Sequence, residues 1–319
     1  MKATRDGFGE ELYDLVAADK NIIVLSADLS SSLKVDRIAR DFPHQYVECG
    51  VSEQNMIGVA AGIAMTGKIS VATSFATFNP GRNWEQIRVS VAMQGLPVKI
   101  IGSHAGLATG PDGATHQALE DLALMSVLPG MEVFVPADYQ EARDCTRALI
   151  ASGQPGYLRL SREPTPALDF GGSEFVAGRG RRLRSGSDAT IVACGLTVAL
   201  ALEVADTLRA QADLAIGVVD LSTLVPLDTA LLTQLAQQTH AIITIEEHEL
   251  VGGLGALVAA HLGRTCPCVV EMVGVEGRFG QSGSKEQLWE AYGLTAGNLQ
   301  NHVIKALERK REWLLDDGS

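Results

Sequence analysis

Asp112 and His116 lie four residues apart in the run GPDGATHQALEDLA, residues 110–123. A carboxylate accepts hydrogen bonds from hydroxyls, and an imidazole donates, accepts or shuttles a proton near neutral pH. Pro111 and Gly113 break regular structure. Thr115 has the character of a helix N-cap, and Glu120 and Asp121 are acids suited to a first helical turn. The expectation is a rigid turn presenting Asp112 and a helix start presenting His116, both free to face a ligand. On this stretch alone, a turn-forming Asp112 and an ordinary helix-terminus His116 serve equally well. The surrounding elements have to decide.

Those elements alternate. NIIVLSAD, ISVATSF, LPVKIIGSH, MEVFVPAD and GYLRLS read as strands. EQNMIGVAAGIAMTG, WEQIRVSVAMQG and YQEARDCTRALIASG read as helices between them. Such alternation predicts a mainly parallel sheet covered on both faces. Ligands of such folds meet loops at the C-terminal strand ends, where Ser26, Asp28, Phe75, His104 and Asp138 would lie. Residues 164–187 are rich in Pro, Gly, Ser and Arg and read as a linker. The alternation restarts with ATIVACG, IGVVDLS, AIITIEEH and CVVEMVGV as strands. The expected organisation is a first domain at 1–163, the linker, and a smaller α/β domain at 188–319. VGGLGALVAA opens a helix after a strand, but it lacks the GxGxxG spacing and the acidic residue of a dinucleotide site. Close helix packing accounts for its glycines.

Composition narrows the function. The chain has 319 residues, 46% of them apolar, and a net charge of −12. No apolar run reaches the roughly 18 residues of a membrane span. MKATRDGFGEELYDLV lacks the apolar core of a signal peptide. The basic run RGRRLR at 179–184 is short and reads as solvated linker, which argues against nucleic acid as a partner. On so acidic a chain, an anionic substrate needs a few well-placed cations. The five cysteines are scattered and odd in number, and no His or Cys cluster completes a zinc site. A reduced, cytoplasmic protein is expected.

Five segments occur in one order: ECGVSEQNMIGVAAGIA (48–64), SFATF (74–78), IGSHAGLATGPDGATHQALEDLA (101–123), VFVPAD (133–138) and LRLSRE (158–163). Together they resemble the pyrimidine-binding domain of transketolases, and the part around EEHELVGGLG resembles the C-terminal domain of that family. The resemblance covers essentially the whole chain. It implies two parallel-sheet α/β domains: a thiamin diphosphate pyrimidine-binding fold, then a smaller transketolase C-terminal fold. It also implies transfer of a two-carbon ketol unit from a ketose phosphate to an aldose phosphate. The family's diphosphate-binding domain, with its Gly-Asp-Gly motif and downstream Asn, has no counterpart in the sequence. The chain is therefore expected to be the C-terminal subunit of a split transketolase. The companion subunit would supply the diphosphate and Mg2+ half of the site, in a two-plus-two heterotetramer, and this chain would hold no metal site of its own.

The resemblance assigns roles residue by residue. Glu53 in SEQNM matches the glutamate that bonds the aminopyrimidine ring nitrogen and favours the reactive tautomer; on residues alone it is a first-turn helix acid. Phe75 and Phe78 match aromatics around that ring, and Asp28 lies in a loop at the site edge. A third family aromatic is replaced here by Gly81, with Arg82, Trp84 or Gln86 available to compensate. His104 and His116 match histidines that contact the sugar's oxygens and stabilise charge there. Asp112 matches the aspartate that reads the C2 hydroxyl. Arg5 in ATR, Ser32 in SADLSSS, His104, and Arg162 in LSR match the phosphate-binding set, and arginine's planar fork suits phosphate or sulfonate alike. Other thiamin enzymes, a deoxyxylulose-phosphate synthase or a 2-oxoacid dehydrogenase β chain, are the alternatives, together with a variant acting on a branched or sulfo-sugar. A non-enzymatic scaffold is a further one, opposed by the intact set of Glu53, His104, Asp112 and His116.

Overall fold

Apolar runs with no alternation, such as Ile22–Ser26 and Val98–Ser103, are buried at every position, as strands covered on both faces must be. In the computed structural model, which describes residues 1–316, the strands in chain order are β1 (Lys2–Ala3), β2 (Ile22–Ser26), β3 (Tyr46–Glu48), β4 (Ile69–Phe75), β5 (Val98–Ser103), β6 (Glu132–Phe134), β7 (Gly156–Arg159), β8 (Pro164–Thr165), β9 (Arg181–Arg184), β10 (Ala189–Ala193), β11 (Ile216–Asp220), β12 (Thr223–Val225), β13 (Ala241–Glu249) and β14 (Val269–Val275). Seven of them form one sheet in the order β12-β6-β7-β5-β4-β2-β3, parallel except for β12. Five form a second sheet, β14-β13-β10-β11-β9, parallel except for β9. Both sheets carry helices, so each half is an α/β fold as expected. Among the described residues no helix is long and apolar enough to cross a membrane.

The strand order reverses beside β2: the chain leaves it for β3 on one side, and β4 pairs on its other side. Loops that part in this way open a crevice at the C-terminal strand ends. Helix Glu53–Met65 starts there and returns to β4.

Three features differ from expectation. The basic run in the stretch expected as linker is β9, antiparallel to β11, and Arg181 in it is buried against Glu141 and Asp220. Two buried carboxylates outweigh hydration of that guanidinium. Next, β12 follows the second sheet's β11 in sequence, yet it pairs with β6 at the edge of the first sheet. The two halves thus share a sheet edge. Finally, the helix expected at 84–95 is an α turn, Trp84–Gln86, that widens into a π turn, Ile87–Ala92.

Candidate active site

The site begins with a stitch between distant parts of the chain. β1 pairs antiparallel with β8. Beside it Ser161 N–H donates to Thr4 Oγ1 at 2.8 Å, and Arg5 N–H to Ser161 O at 3.3 Å. Arg5 and Arg162 are thereby brought to one place. Arg5 Nη1 donates to the Ser32 carbonyl at 3.1 Å and to His104 Nε2 at 3.2 Å. Its Nε is buried and has no hydrogen-bond partner among the described residues. Burial, together with the neighbouring Arg162, lowers the Arg5 pKa below the ordinary arginine value. Arg162 Nη1 lies 3.4 Å from Asp112 Oδ2. Arg5 is thus paired with His104 and Arg162 with Asp112, beside an unsatisfied donor that an anion would complete.

His104 follows β5 and has φ of 54°, a left-handed conformation that is unusual for a residue with a side chain. Its ring is held on three sides. Ser103 Oγ lies 3.0 Å from Nδ1, Arg5 meets Nε2, and the Phe75 ring lies 3.9 Å away between centroids. The Thr109 hydroxyl also donates to the His104 carbonyl. A guanidinium can only donate, so Nε2 accepts and the ring proton sits on Nδ1, towards Ser103. Burial first, then the charges of Arg5 and Arg162, push the His104 pKa down to about 3. The ring is neutral at physiological pH. His116 stands edge-on to Phe78, 5.4 Å between centroids at 79°, and edge-on to Phe75 at 6.2 Å. Four aromatic rings thus gather at the C-terminal ends of β4 and β5.

Glu53 is the first residue of its helix and is 1% exposed. Its Oε2 accepts from Arg82 Nη1 at 2.7 Å. The Arg82 side chain is 46% exposed, and its guanidinium lies 4.5 Å from the Phe78 ring centroid. The aromatic absent at position 81 is excluded by backbone: a Cβ on Gly81 would stand 2.1 Å from the Thr77 carbonyl oxygen. Of the three candidates to compensate, Arg82 is the one that covers the rim. Trp84 donates to the Leu124 carbonyl, and Gln86 to Glu85. Asn83 supports the corner by donating to the Glu53 carbonyl and to Asn79 Oδ1, and Asn79 ties to the carbonyls of Ala72 and Ile101.

Not every expected residue joins the cluster in the expected way. The helix after the Gly-Pro-Asp-Gly turn is Asp121–Ser126, so His116 is not at a helix start and Thr115 is not its N-cap. Residues 107–112 form 3-10 turns instead, bounded by Gly106 and Gly113 at positive φ. Gly106 N–H then donates to the Ala118 carbonyl and closes the loop. Thr115 Oγ1 lies against His116 Nδ1 at 2.9 Å. Asp28 has φ of 61° and is exposed in the loop after β2; its N–H donates to Glu48 Oε1, and its carboxylate has no hydrogen bond among the described residues. Sequence reasoning did not assign Ser103, Asn79 or Asn83. The i, i+4 pair of asparagines around Pro80 and Gly81 was the available signal for the last two.

Among the described residues no three His, Cys, Asp or Glu side chains stand together as a metal site. Residues 1–166 match the family model of the transketolase pyrimidine binding domain, and residues 178–299 match that of the transketolase C-terminal domain. The chain is 37% identical to the 6-deoxy-6-sulfo-D-fructose transketolase subunit of Clostridium sp. (strain MSTE9), over 96% of this chain and 95% of that one. A solved split gene transketolase, described as an inactive beta4 tetramer, has a TM-score of 0.90 and 44% identity, covering 97% of this chain and 100% of its own. The transketolase of Campylobacter jejuni subsp. jejuni NCTC 11168 superposes with a TM-score of 0.80 at 25% identity, covering 95% of this chain and 46% of its own.

Proposed function

The chain belongs to the transketolase family, and on that premise we propose that it is the C-terminal subunit of a thiamin diphosphate-dependent transketolase acting on sugar phosphates. The observation that carries this reading is the meeting of two half-sites at one group of strand ends. One is the buried Glu53 carboxylate, joined through Arg82 to the Phe78 ring that stacks with Phe75; the other is the pairs Arg5–His104 and Arg162–Asp112 with the unsatisfied Arg5 N–H. A buried carboxylate at the edge of aromatic rings suits an aminopyrimidine, and the orphaned donor suits an anion.

Bound thiamin diphosphate supplies the nucleophilic carbon that takes up the ketol unit. Glu53 then holds a proton at the pyrimidine ring nitrogen, and Phe75 and Phe78 exclude water from the ring. Asp28 borders the cofactor at the rim of the crevice. His116 gives an N–H bond to the sugar's oxygens, where charge develops during transfer, and His104 accepts from a sugar hydroxyl at Nε2 once Arg5 turns to the anion. Asp112 accepts from the C2 hydroxyl. Arg5, Ser32 and Arg162 take the terminal phosphate, with His104 holding Arg5 beside it. A sulfonate satisfies the same donors, and the relative named for a sulfo-sugar supports including that donor class. Relatives named as subunits or split-gene products support a companion chain. We assign the diphosphate, Mg2+ and the rest of a two-plus-two heterotetramer to that companion, and a cytoplasmic setting to the pair. The comparisons favour this reading over a deoxyxylulose-phosphate synthase or 2-oxoacid dehydrogenase subunit.

The test is ketol transfer from xylulose 5-phosphate to ribose 5-phosphate with thiamin diphosphate and Mg2+, using this chain alone and then with the companion carrying the diphosphate domain. The expected result is activity only in the mixture. Glu53→Gln should lower kcat at least 100-fold, on the scale of a lost proton-transfer group, with sugar KM little changed. Activity from this chain alone overturns the companion. A silent mixture, with phosphate and sulfonate donors both tried, overturns the reading.

A further inference from the structure

The loop 106–117, which carries Asp112 and His116, rests on the second domain at two points. At its root, Glu247 of β13 accepts from the Ala108 N–H at 2.6 Å and from Trp289 Nε1 at 2.8 Å with the same oxygen. Gly106 lies flat on that carboxylate: a Cβ there would stand 2.5 Å from Glu247 Oε2. At its tip, Gln117 Nε2 donates to the carbonyls of Gly110 and Gln281, at 3.1 and 2.9 Å. The tip packs closely on 280–282, where a Cβ on Gly113 would stand 2.7 Å from Ser282 Oγ. A loop of 3-10 turns has few internal bonds of its own, so these outside partners fix its path.

We propose that the second domain positions the substrate-reading loop, and that Glu247 is the positioning residue. Glu247 is buried beneath the loop and acts through it. It holds the Ala108 amide, and through the short run from 108 to 116 it sets where Asp112 and His116 stand. The carboxylate is buried with its acceptor oxygen shared by two donors, so truncation leaves both donors unsatisfied. This gives the second domain a role in sugar recognition that neither its sequence nor its relatives' names carry. The inference rests on the transketolase reading for its catalytic consequence, but not for its structural one.

Two measurements separate them. Amide hydrogen exchange on this chain alone reads the seat directly. Glu247→Ala should speed exchange at Ala108 and its neighbours at least ten-fold. Glu247→Gln keeps an acceptor oxygen for both donors and should restore exchange to within two-fold of wild type. In the mixture with the companion, Glu247→Ala should raise the ketose-donor KM about ten-fold and lower kcat through the displaced His116, with cofactor affinity within two-fold; Glu247→Gln should rescue both. Unchanged exchange in Glu247→Ala overturns the proposal, and so does faster exchange with a wild-type donor KM. If Glu247→Ala does not fold, Glu247→Leu, which fills the space but accepts from neither donor, replaces it: three-fold faster exchange at Ala108 supports the seat and unchanged exchange overturns it. A silent wild-type mixture would sink the transketolase reading while the exchange arm still decides the seat.

Discussion

Glu53 and Arg82 form an ion pair with unequally wetted ends. The carboxylate is enclosed, while the guanidinium stands half in solvent across the Phe78 ring. A half-exposed pair of this kind is worth on the order of 1 kcal/mol or less, so Arg82 is easily drawn off. On the proposed function, the Glu53 carboxyl that would share a proton with the aminopyrimidine ring nitrogen is held by Arg82 at Oε2, and we infer that the guanidinium moves aside as the cofactor loads. Arg82→Ala removes the competitor. Association of thiamin diphosphate with the assembled enzyme should become about five-fold faster, the equivalent of about 1 kcal/mol, as measured by stopped-flow protein fluorescence. Slower association would mean that Arg82 stays and holds the cofactor itself.

Just before its last residue β13 carries three consecutive buried ionisable residues, each with a separate duty. Glu246 accepts from the N–H groups of Leu254 and Gly255 at the start of helix Leu254–Thr265, while Glu247 faces the loop. His248 Nε2 accepts from Leu122 N–H at the start of helix Asp121–Ser126. Burial pushes Glu246 up to about 7 and His248 down to about 4. The signs oppose. Folded Glu246 keeps a proton that the unfolded chain releases above about 4.5, so its stabilisation is full below that pH and is lost as pH rises to about 7. Folded His248 stays neutral where the unfolded chain takes up a proton, so stability falls as pH drops from about 6.5 to 4. Glu246→Gln abolishes only the first slope. Relative to wild type, its unfolding free energy should rise by about 3 kcal/mol between pH 4.5 and 7, read from urea melts at a series of pH values; a flat difference contradicts the assignment. Such duties explain what the sequence hides. The long apolar strands β2, β4, β5 and β10 are legible because burial on both faces demands continuous apolar runs. EEH at the end of AIITIEEH reads as a polar strand end, because its burial depends on helix starts elsewhere in the chain. The path of the loop under His116 is equally hidden: Gly106 and Gly113 have to take positive φ, and its tip needs residues 280–282, distant in sequence. Glu53, His104, Asp112 and Arg162 are legible from motif order, and Arg82 only as one of three candidates.

Across the whole molecule, the two halves are locked by buried charge as well as by apolar packing. Arg181 of β9 pairs with Glu141 of helix Tyr139–Ala151 and with Asp220 of β11. Burial and the adjacent Glu141 push Asp220 well above the usual carboxylate range. Removing the cation leaves two buried acids face to face. Arg181→Met should therefore cost about 3–5 kcal/mol, seen as a lower urea midpoint, whereas a loss under 1 kcal/mol would mean that water already reaches the pair. β12 joins the same halves differently, and it has a consequence for biosynthesis. The ribosome completes the first domain's parallel strands with β7, but the outer edge of β6 has no neighbour until residues 223–225 emerge. At roughly 5–20 residues per second, the nascent chain displays a bare strand edge for some seconds, a template on which a neighbouring nascent chain could pair. A chain truncated between the domains would display it permanently and should self-associate. The three residues of β12 thus act as a late-arriving chaperone encoded within the polypeptide itself.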